Sequence, residues 1–404
     1  MSQATTAILS VNSGSSSIKF ALYPCVVNGV AAATLTGVVE GLEPGGTVQI
    51  SVKSGLQKES HSLPASSADP FEHALMSLRK LIVAYTSTVQ VIAVAHRIVH
   101  GGDRYADSVQ VDDEVLAYLH TLDSLAPLHQ PHNLAGVTAF QRAYPEVPQI
   151  ACFDTGFHVD LPELERVLPI PKALRDTGIR RYGFHGLSFR YVAACLAEQT
   201  SRASERVVMA HLGNGASLCG MLGGKSQATT MGFSALDGLM MGTRCGALDP
   251  GVLLHLLRQG WDLERIETTL YKESGLLGVS GISADMRTLR ASKLTSAAFA
   301  IDLFTHRLVR ECGAMTACIG GIDVLAFTGG IGEHDVVLRQ QTCAALGYLG
   351  LCLDATLNQS ATGETIQAIH ASDSTVEIWV VPTDEGRVAA LDASKRIRWI
   401  AEKK

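Results

Sequence analysis

Two stretches of this chain, 200 positions apart, share one pattern, and it restricts the fold more than anything else in the sequence. In the first, AILSV (7–11) is an apolar run that breaks at NSGSSS and resumes as IKFALY (18–23). In the second, VVMAHL (207–212) breaks at GNGAS and resumes at LCGML, with GGK turning the chain back. An apolar run, a turn of small residues and a second run predict a β-hairpin. A shift of 200 sets Gly14 on Asn214, Ser15 on Gly215, Ser17 on Ser217, Ile18 on Leu218 and Leu22 on Leu222. Such self-similarity predicts an internal duplication: two α/β domains, each opening with a hairpin. The length of 404 residues accommodates two domains at roughly 100–200 residues each.

The rest of the chain alternates strands and helices, as α/β domains do. FEHALMSLRKLIVAY (71–85) has the apolar spacing of an amphipathic helix, and VIAVAH (91–96) follows as a buried strand. VDDEVLAYLHTLDSL (111–125) predicts a helix and QIACFD (149–154) a strand. From Gly41 to Pro70, 13 of 30 residues are Gly, Ser or Pro, around VQISV (48–52), which alternates like an edge strand. This predicts a loop-rich excursion at a sheet edge, not a linker. Further on come helices at GVLLHLLRQG (251–260) and SAAFAIDLFTHRLVRECGAM (296–315), a strand and Gly loop at VLAFTGGIGE (324–333), and a strand at VEIWVV (376–381).

Composition excludes several classes. With 47% apolar and 18% charged residues the chain can bury large cores, which excludes disorder. The net charge is −6 with no dense basic run, so neither a nucleic-acid groove nor a polybasic membrane patch is expected. Apolar runs such as VIAVA fall far short of the ~18 residues of a membrane span. The start, MSQATTAILSVN, has no basic n-region and no long h-region, so no secretory signal is read there. Nine cysteines without a C-x-x-C pair read as thiols of a reducing compartment. These features together predict a cytoplasmic protein.

Three apolar strands end in small-residue loops: Asn12–Ser17, Gly213–Ser217 and Gly329–Gly332. Small residues let the backbone approach an oxyanion, and successive N–H groups then form a nest for phosphate. None is a Walker loop, and no G-x-G-x-x-G opens a helix after the first strand. Lys19, on the second strand of the first hairpin, could reach back to a phosphate. His129 and His132 have a metal-like spacing, but without a neighbouring carboxylate or Cys they do not make a zinc site.

NSGSSSIKF, HRIVHGG (96–102), LAPLHQPHN (125–133), FDTGFH (153–158), RRYGFHGLS (180–188), HLGNGAS (211–217), GLMMGTRCGALDPG (238–251), FTGGIGE (327–333) and PTDEG (382–386) occur in the order found in acetate kinases. The chain resembles that family over residues 12 to 386; propionate kinases share most of these motifs, so a short-chain acyl kinase preferring propionate is the alternative. The resemblance implies an α/β fold of two duplicated ribonuclease-H-like (actin-like ATPase) domains with the active site in the cleft between them. It places the domains at 1–154 and 155–385, with a C-terminal helix at 386–404 returning to the first, and it implies a homodimer. The implied reaction is reversible transfer of the ATP γ-phosphoryl group to acetate, giving acetyl phosphate and ADP with Mg2+, for which Mn2+ can substitute. An ATP-driven conformational switch, as in other members of the superfamily, would need phosphate loops but no acceptor pocket lined by two arginines.

A carboxylate with a pKa of about 4 is ionised at neutral pH and needs no general base. It needs cations to overcome repulsion between two anions. The resemblance assigns Arg97 to the acetate carboxylate and Arg244 to the transferring phosphoryl group, with His185 and His129 as further donors. Asp154 ends a predicted strand, where α/β proteins place functional groups. The family assigns it an acid/base role, whereas the chemistry favours its orienting an Arg or a magnesium-bound water. Asn12 and Glu385 are the implied magnesium contacts. By the same resemblance the nucleotide lies against Lys19, Ser15, Ser17, His211, Leu212, Gly213, Asn214, Gly215, Asp285, Met286, Arg287, Gly330, Ile331, Gly332, Glu333 and His334. The acetate methyl lies against Val99, Leu128, Phe184 and Ala235. The chain departs from the family pattern at Ala228 (usually Asp), Ala235 (usually Pro), His334 (usually Asn) and Gly386 (usually acidic).

Overall fold

The computed structural model describes residues 5–14, 17–42, 47–55, 57–62, 70–85, 89–127 and 129–402. They divide into two units, 1–156 with 384–404, and 157–383.

The first unit holds β1 (Thr5–Ser13), β2 (Ser17–Val26), β3 (Gly29–Val30), β4 (Leu35–Glu40), β5 (Gln49–Ser54), β6 (Gln57–Ser62), β7 (Val89–Ile98), β8 (Val109–Gln110) and β9 (Gln149–Phe153). They form one sheet in the order β6-β5-β4-β2-β1-β7-β9-β8, with β3 on β2. β1 pairs antiparallel with β2, setting Asn12 opposite Lys19, and parallel with β7, setting Val11 opposite His96. Side chains alternate between faces. Leu9, Val11, Ile18, Phe20, Leu22 and Val94 share a core with Leu75, Leu78 and Ile82 of helix Pro70–Tyr85 and with Phe140 of helix Gln130–Ala143. The opposite face therefore carries Ser10, Asn12, Lys19, Tyr23 and Arg97. Helix Glu385–Glu402 packs on this side of β1 and β7.

Two expectations change here. VQISV is not the edge: β5 lies between β4 and β6. β6 (QKESHS) has no apolar alternation to betray it, and its polar, exposed residues suit an unprotected edge. The helix expected over 111–125 runs only from Asp113 to His120, begun by Asp112 accepting from Val115 N at 2.8 Å. The Thr121 hydroxyl then donates to Tyr118 O at 2.6 Å, and a 3-10 turn at Asp123–Leu125 follows.

The second unit holds β10 (Val207–Leu212), β11 (Ala216–Leu222), β12 (Lys225–Thr229), β13 (Val324–Thr328), β14 (Gln367–Ala368) and β15 (Glu377–Val380), in the order β12-β11-β10-β13-β15-β14. Every residue of β10 and β13 is buried, as for strands covered on both faces. One side packs Val207, Met209, Cys219 and Met221 on Phe189, Val192 and Leu196 of helix Gly186–Gln199. Helix Thr295–Cys318 covers the sheet as well.

The duplication is visible in the sheets: β4-β2-β1-β7-β9 and β12-β11-β10-β13-β15 each place a hairpin beside two parallel strands. A uniform shift of 200 does not superimpose them, however. The last ladder pair closes four residues in the first hairpin (Ser13 with Ile18) and three in the second (Leu212 with Ala216). The third small-residue segment is not a loop: Gly329–His334 is a short helix directly after β13.

Candidate active site

In the first unit the charged groups collect where β7 and β9 end. Arg97 does not follow its strand, as the apolar run predicted, but is its penultimate residue, paired with Cys152 of β9. Asp154 comes one residue after β9, and its N–H donates to Ile98 O at 3.0 Å, continuing the ladder. The two side chains form a fork: Arg97 Nη2 donates to Oδ2 at 2.6 Å, and Nε lies 3.1 Å from both oxygens. Glu385 Oε2 lies 3.5 Å from Arg97 Nε. Burial works against the Arg97 charge, but Asp154 and Glu385 more than offset it and raise its pKa. Asp154 is 1% exposed and Arg97 20%, so this cation is held by acids while retaining some access.

The stretch after Arg97 is held by two side chains from helix Gln130–Ala143 to which the motifs assigned nothing. Asn133 Oδ1 accepts from Val99 N at 3.0 Å, and its Nδ2 donates to Ser13 O at 2.6 Å. Gln130 accepts from His100 N and donates to His100 O, both at 3.1 Å. At i and i+3 they share one helix face, and this spacing in LHQPHN is a signal the sequence did carry. His129 sits at the N-cap of the same helix, Val99 is buried, and Asn12 and Lys19 stand opposite each other on the face that carries Arg97. Ser17 opens β2. Ser15 and Leu128 lie outside the described residues.

In the second unit His185 and Arg244 meet at the hairpin turn. His185 caps helix Gly186–Gln199 at φ 58°, the one positive φ of a non-glycine among the described residues. Such backbone is costly and recurs where a side chain must be aimed. Its Nδ1 is 2.8 Å from Ser217 Oγ, and its ring stacks on His211 at 4.2 Å. His211 Nδ1 bonds Ser188 Oγ at 2.8 Å, and Ser188 reaches Thr383 Oγ1 at 3.0 Å. Arg244 Nη1 donates to Ala235 O at 2.6 Å. A Cβ on Gly215 would lie 2.6 Å from Arg244 Nη2 and 3.3 Å from His185 Nε2. Only glycine lets both groups approach that backbone. Leu212 ends β10, Gly213 N donates to Gly215 O at 3.0 Å, and Asn214 O accepts from Gly242 N at 3.0 Å.

His158 supports this arrangement, although FDTGFH alone did not mark it. Burial pushes its pKa down to about 4, so it is neutral at physiological pH. Phe184 O, 2.9 Å from Nε2, can only accept, so Nε2 carries the proton and Nδ1 accepts from Ser226 Oγ at 2.8 Å. The buried Phe184, and with it His185, is thereby anchored to β12. Arg181 donates to the carbonyls of Thr229, Thr230 and Met231, closing the other side.

The remaining positions form two groups. Gly330, Ile331 and Gly332 belong to the short helix after β13. The Glu333 carboxylate accepts from Gly329 N at 2.8 Å and Thr383 N at 3.0 Å, so it braces that helix from inside. His334 Nδ1 bonds Thr362 O at 2.7 Å. Asp285 caps helix Met286–Ala291 by accepting from Arg287 N, and pairs with the exposed Arg287 side chain. The Arg287 hydrogen bond lowers the Asp285 pKa to about 2.

Among the described residues no three His, Cys, Asp or Glu side chains cluster as a metal cage. The amide of Asn12 and the carboxylate of Glu385 are oxygen donors. That sparse set suits magnesium, which keeps waters and takes its other ligands from substrate phosphates.

A duplicated hairpin-and-parallel-strand sheet, with a glycine turn facing Arg and His, defines a member of the actin-like ATPase fold class. Residues 7–391 match the model of the acetokinase family, and the chain belongs to that family. The acetate kinase of Rhodopseudomonas palustris is 46% identical over 387 residues, 95% of this chain and 96% of that protein. The crystal structure of Porphyromonas gingivalis acetate kinase has a TM-score of 0.86 and 33% identity, covering 97% of this chain and 100% of that one. A propionate kinase from Francisella tularensis has a TM-score of 0.87 and 34% identity, covering 96% and 98%.

Proposed function

We propose that this chain is an acetate kinase, transferring the γ-phosphoryl group of ATP reversibly to acetate. The observation that carries the reading is the pair of held cations: Arg97 in the fork of Asp154, and Arg244 beside His185 at Gly215. An acetate oxygen attacks the γ-phosphorus, the bond to the bridging oxygen breaks, and ADP leaves with that oxygen. No proton need move, because the nucleophile is already an anion. Arg97 binds the acetate carboxylate, and Asp154 fixes the plane of its guanidinium. Arg244 and His185 donate to the equatorial oxygens as charge spreads over them. Lys19, Ser15, Ser17 and the segments His211–Gly215, Asp285–Arg287 and Gly330–His334 hold the nucleotide. Asn12 and Glu385 would hold the magnesium ion that neutralises the β- and γ-phosphate charge. Val99, Leu128, Phe184 and Ala235 take the methyl group.

A second reading, a preference for propionate, is favoured by one position: the family's usual Pro is replaced by the smaller, buried Ala235. Helix Pro250–Arg258 supports a homodimer, since none of its residues is buried while Leu254 and Leu257 are each 53% exposed. No helix among the described residues is long and apolar enough to cross a membrane. Nine cysteines without a C-x-x-C pair support a reducing, cytoplasmic compartment. Incubation with ATP, magnesium and hydroxylamine, with acetate, propionate or butyrate, tests the function. Acetate should give the most acyl hydroxamate, and none from any acid in folded protein would refute the reading.

A further inference from the structure

The motif PTDEG lacks the second acidic residue usual in the family, and the structure shows what stands in its place. Tyr23 lies on β2 opposite Ile8, on the sheet face that carries Arg97, and is only 2% exposed. Its hydroxyl donates to Asp384 Oδ1 at 2.6 Å, and the same oxygen accepts from Arg387 N at 3.0 Å. Asp384 thus ties the sheet to the first turn of helix Glu385–Glu402. A Cβ on Gly386 would meet Tyr23 Oη at 2.6 Å and Ser10 Oγ at 3.4 Å. Gly386 is not among the residues with positive φ, so its backbone does not call for glycine; only the space does. The obstacle is the end of a buried ring on a central strand, which cannot swing aside as a flexible side chain would.

We infer that Tyr23 is a positioning residue for Glu385, and that position 386 is glycine because the Tyr23 hydroxyl occupies the room a side chain would need. The hydroxyl fixes Asp384, Asp384 fixes the start of the helix, and the helix presents Glu385 with Oε2 3.5 Å from Arg97 Nε. A neutral sheet hydroxyl here takes the place of a second carboxylate, which would add negative charge beside Glu385. The inference rests on the proposed metal-binding role of Glu385.

The test is a double-mutant cycle, Tyr23→Phe, Gly386→Ala and both, with Glu385→Gln alongside. Two quantities are read: the urea midpoint, and the affinity for Mn2+–ADP by electron paramagnetic resonance without turnover. Tyr23→Phe should stay folded, weaken Mn2+–ADP on the order of 10-fold, as for a hydrogen bond to a charged acceptor, and leave the acetate KM within about twofold. Gly386→Ala should lower the midpoint by much less in the Tyr23→Phe background than alone, because the obstructing oxygen is gone. Should Gly386→Ala alone not fold, recovery of folded protein on adding Tyr23→Phe supports the coupling, and no recovery overturns it. Additive midpoints, or unchanged Mn2+–ADP affinity in Tyr23→Phe while Glu385→Gln is weakened, overturn the proposal by itself. If Glu385→Gln binds Mn2+–ADP like the unaltered chain, the metal role of Glu385 fails first and the positioning role falls with it.

Discussion

Asp154→Asn separates two roles for the carboxylate beside Arg97. The substitution keeps the shape and removes the charge, placing an amide donor where one carboxylate oxygen accepted from Nη2 at 2.6 Å. Breaking a buried pair by removing one partner costs about 3–5 kcal/mol. Here Glu385 remains 3.5 Å from Arg97, and the guanidinium is 20% exposed. The loss should therefore lie at or below the bottom of that range, about 2–3 kcal/mol, visible as a lowered denaturation midpoint. If Arg97 binds acetate as proposed, its release from this plane means that it no longer meets the carboxylate with both donors. A comparable loss in the transition state corresponds to roughly 30- to 200-fold in kcat/KM for acetate. The KM for ATP should change much less. The deciding assay is the pH dependence of that residual activity. If Asp154 only orients Arg97, the variant and the unaltered enzyme share the same limbs, because acetate needs no proton removed. A limb that disappears with the substitution would show that Asp154 transfers a proton. An acetate kcat/KM within about threefold of the unaltered value would show that the fork is dispensable.

Two further outcomes are expected, one from the proposed acyl pocket and one from the burial of two histidines. Val99→Ala should shift the ratio of kcat/KM towards propionate and Ala235→Pro towards acetate, since one methylene in an apolar pocket is worth roughly 1–3 kcal/mol; no movement in either variant removes both residues from the pocket. Burial pushes both His96 and His158 down to about 4, so the unfolded chain binds their protons first and stability falls as pH drops from about 6.5 to 4. Each shift is equivalent to about 3 kcal/mol, and His158→Gln should flatten the fall in urea midpoint over that window; an unchanged slope would refute the assignment.

What could be read from the chain, and what could not, follows from the distances over which its residues act. The hairpins were legible because their determinants are local: an apolar run, a turn of small residues, and a second run. So was Asp154, because the end of a strand is a local event. The ladder register was not, since a single extra residue in the first turn changes every cross-strand pair, and the apparent shift of 200 concealed it. That register puts Asn12 opposite Lys19 and brings Arg97 onto the same face. The sequence motifs name all three residues without saying that they share a surface. β6 was missed because exposed edge strands have no alternation to read. The clamp of Gln130 and Asn133 lay between, visible as helical spacing but without meaning until their partners were known. Gly386 is the extreme case. From the sequence it is a lost carboxylate; the explanation stands more than 360 positions away, in the hydroxyl of Tyr23. A tyrosine on an amphipathic strand is ordinarily core, and nothing local distinguishes one whose hydroxyl touches the last helix. Substitutions at conventional motif positions are therefore poor evidence of lost function by themselves. The same place can be filled by an atom from another strand, and only the packing shows which atom it is.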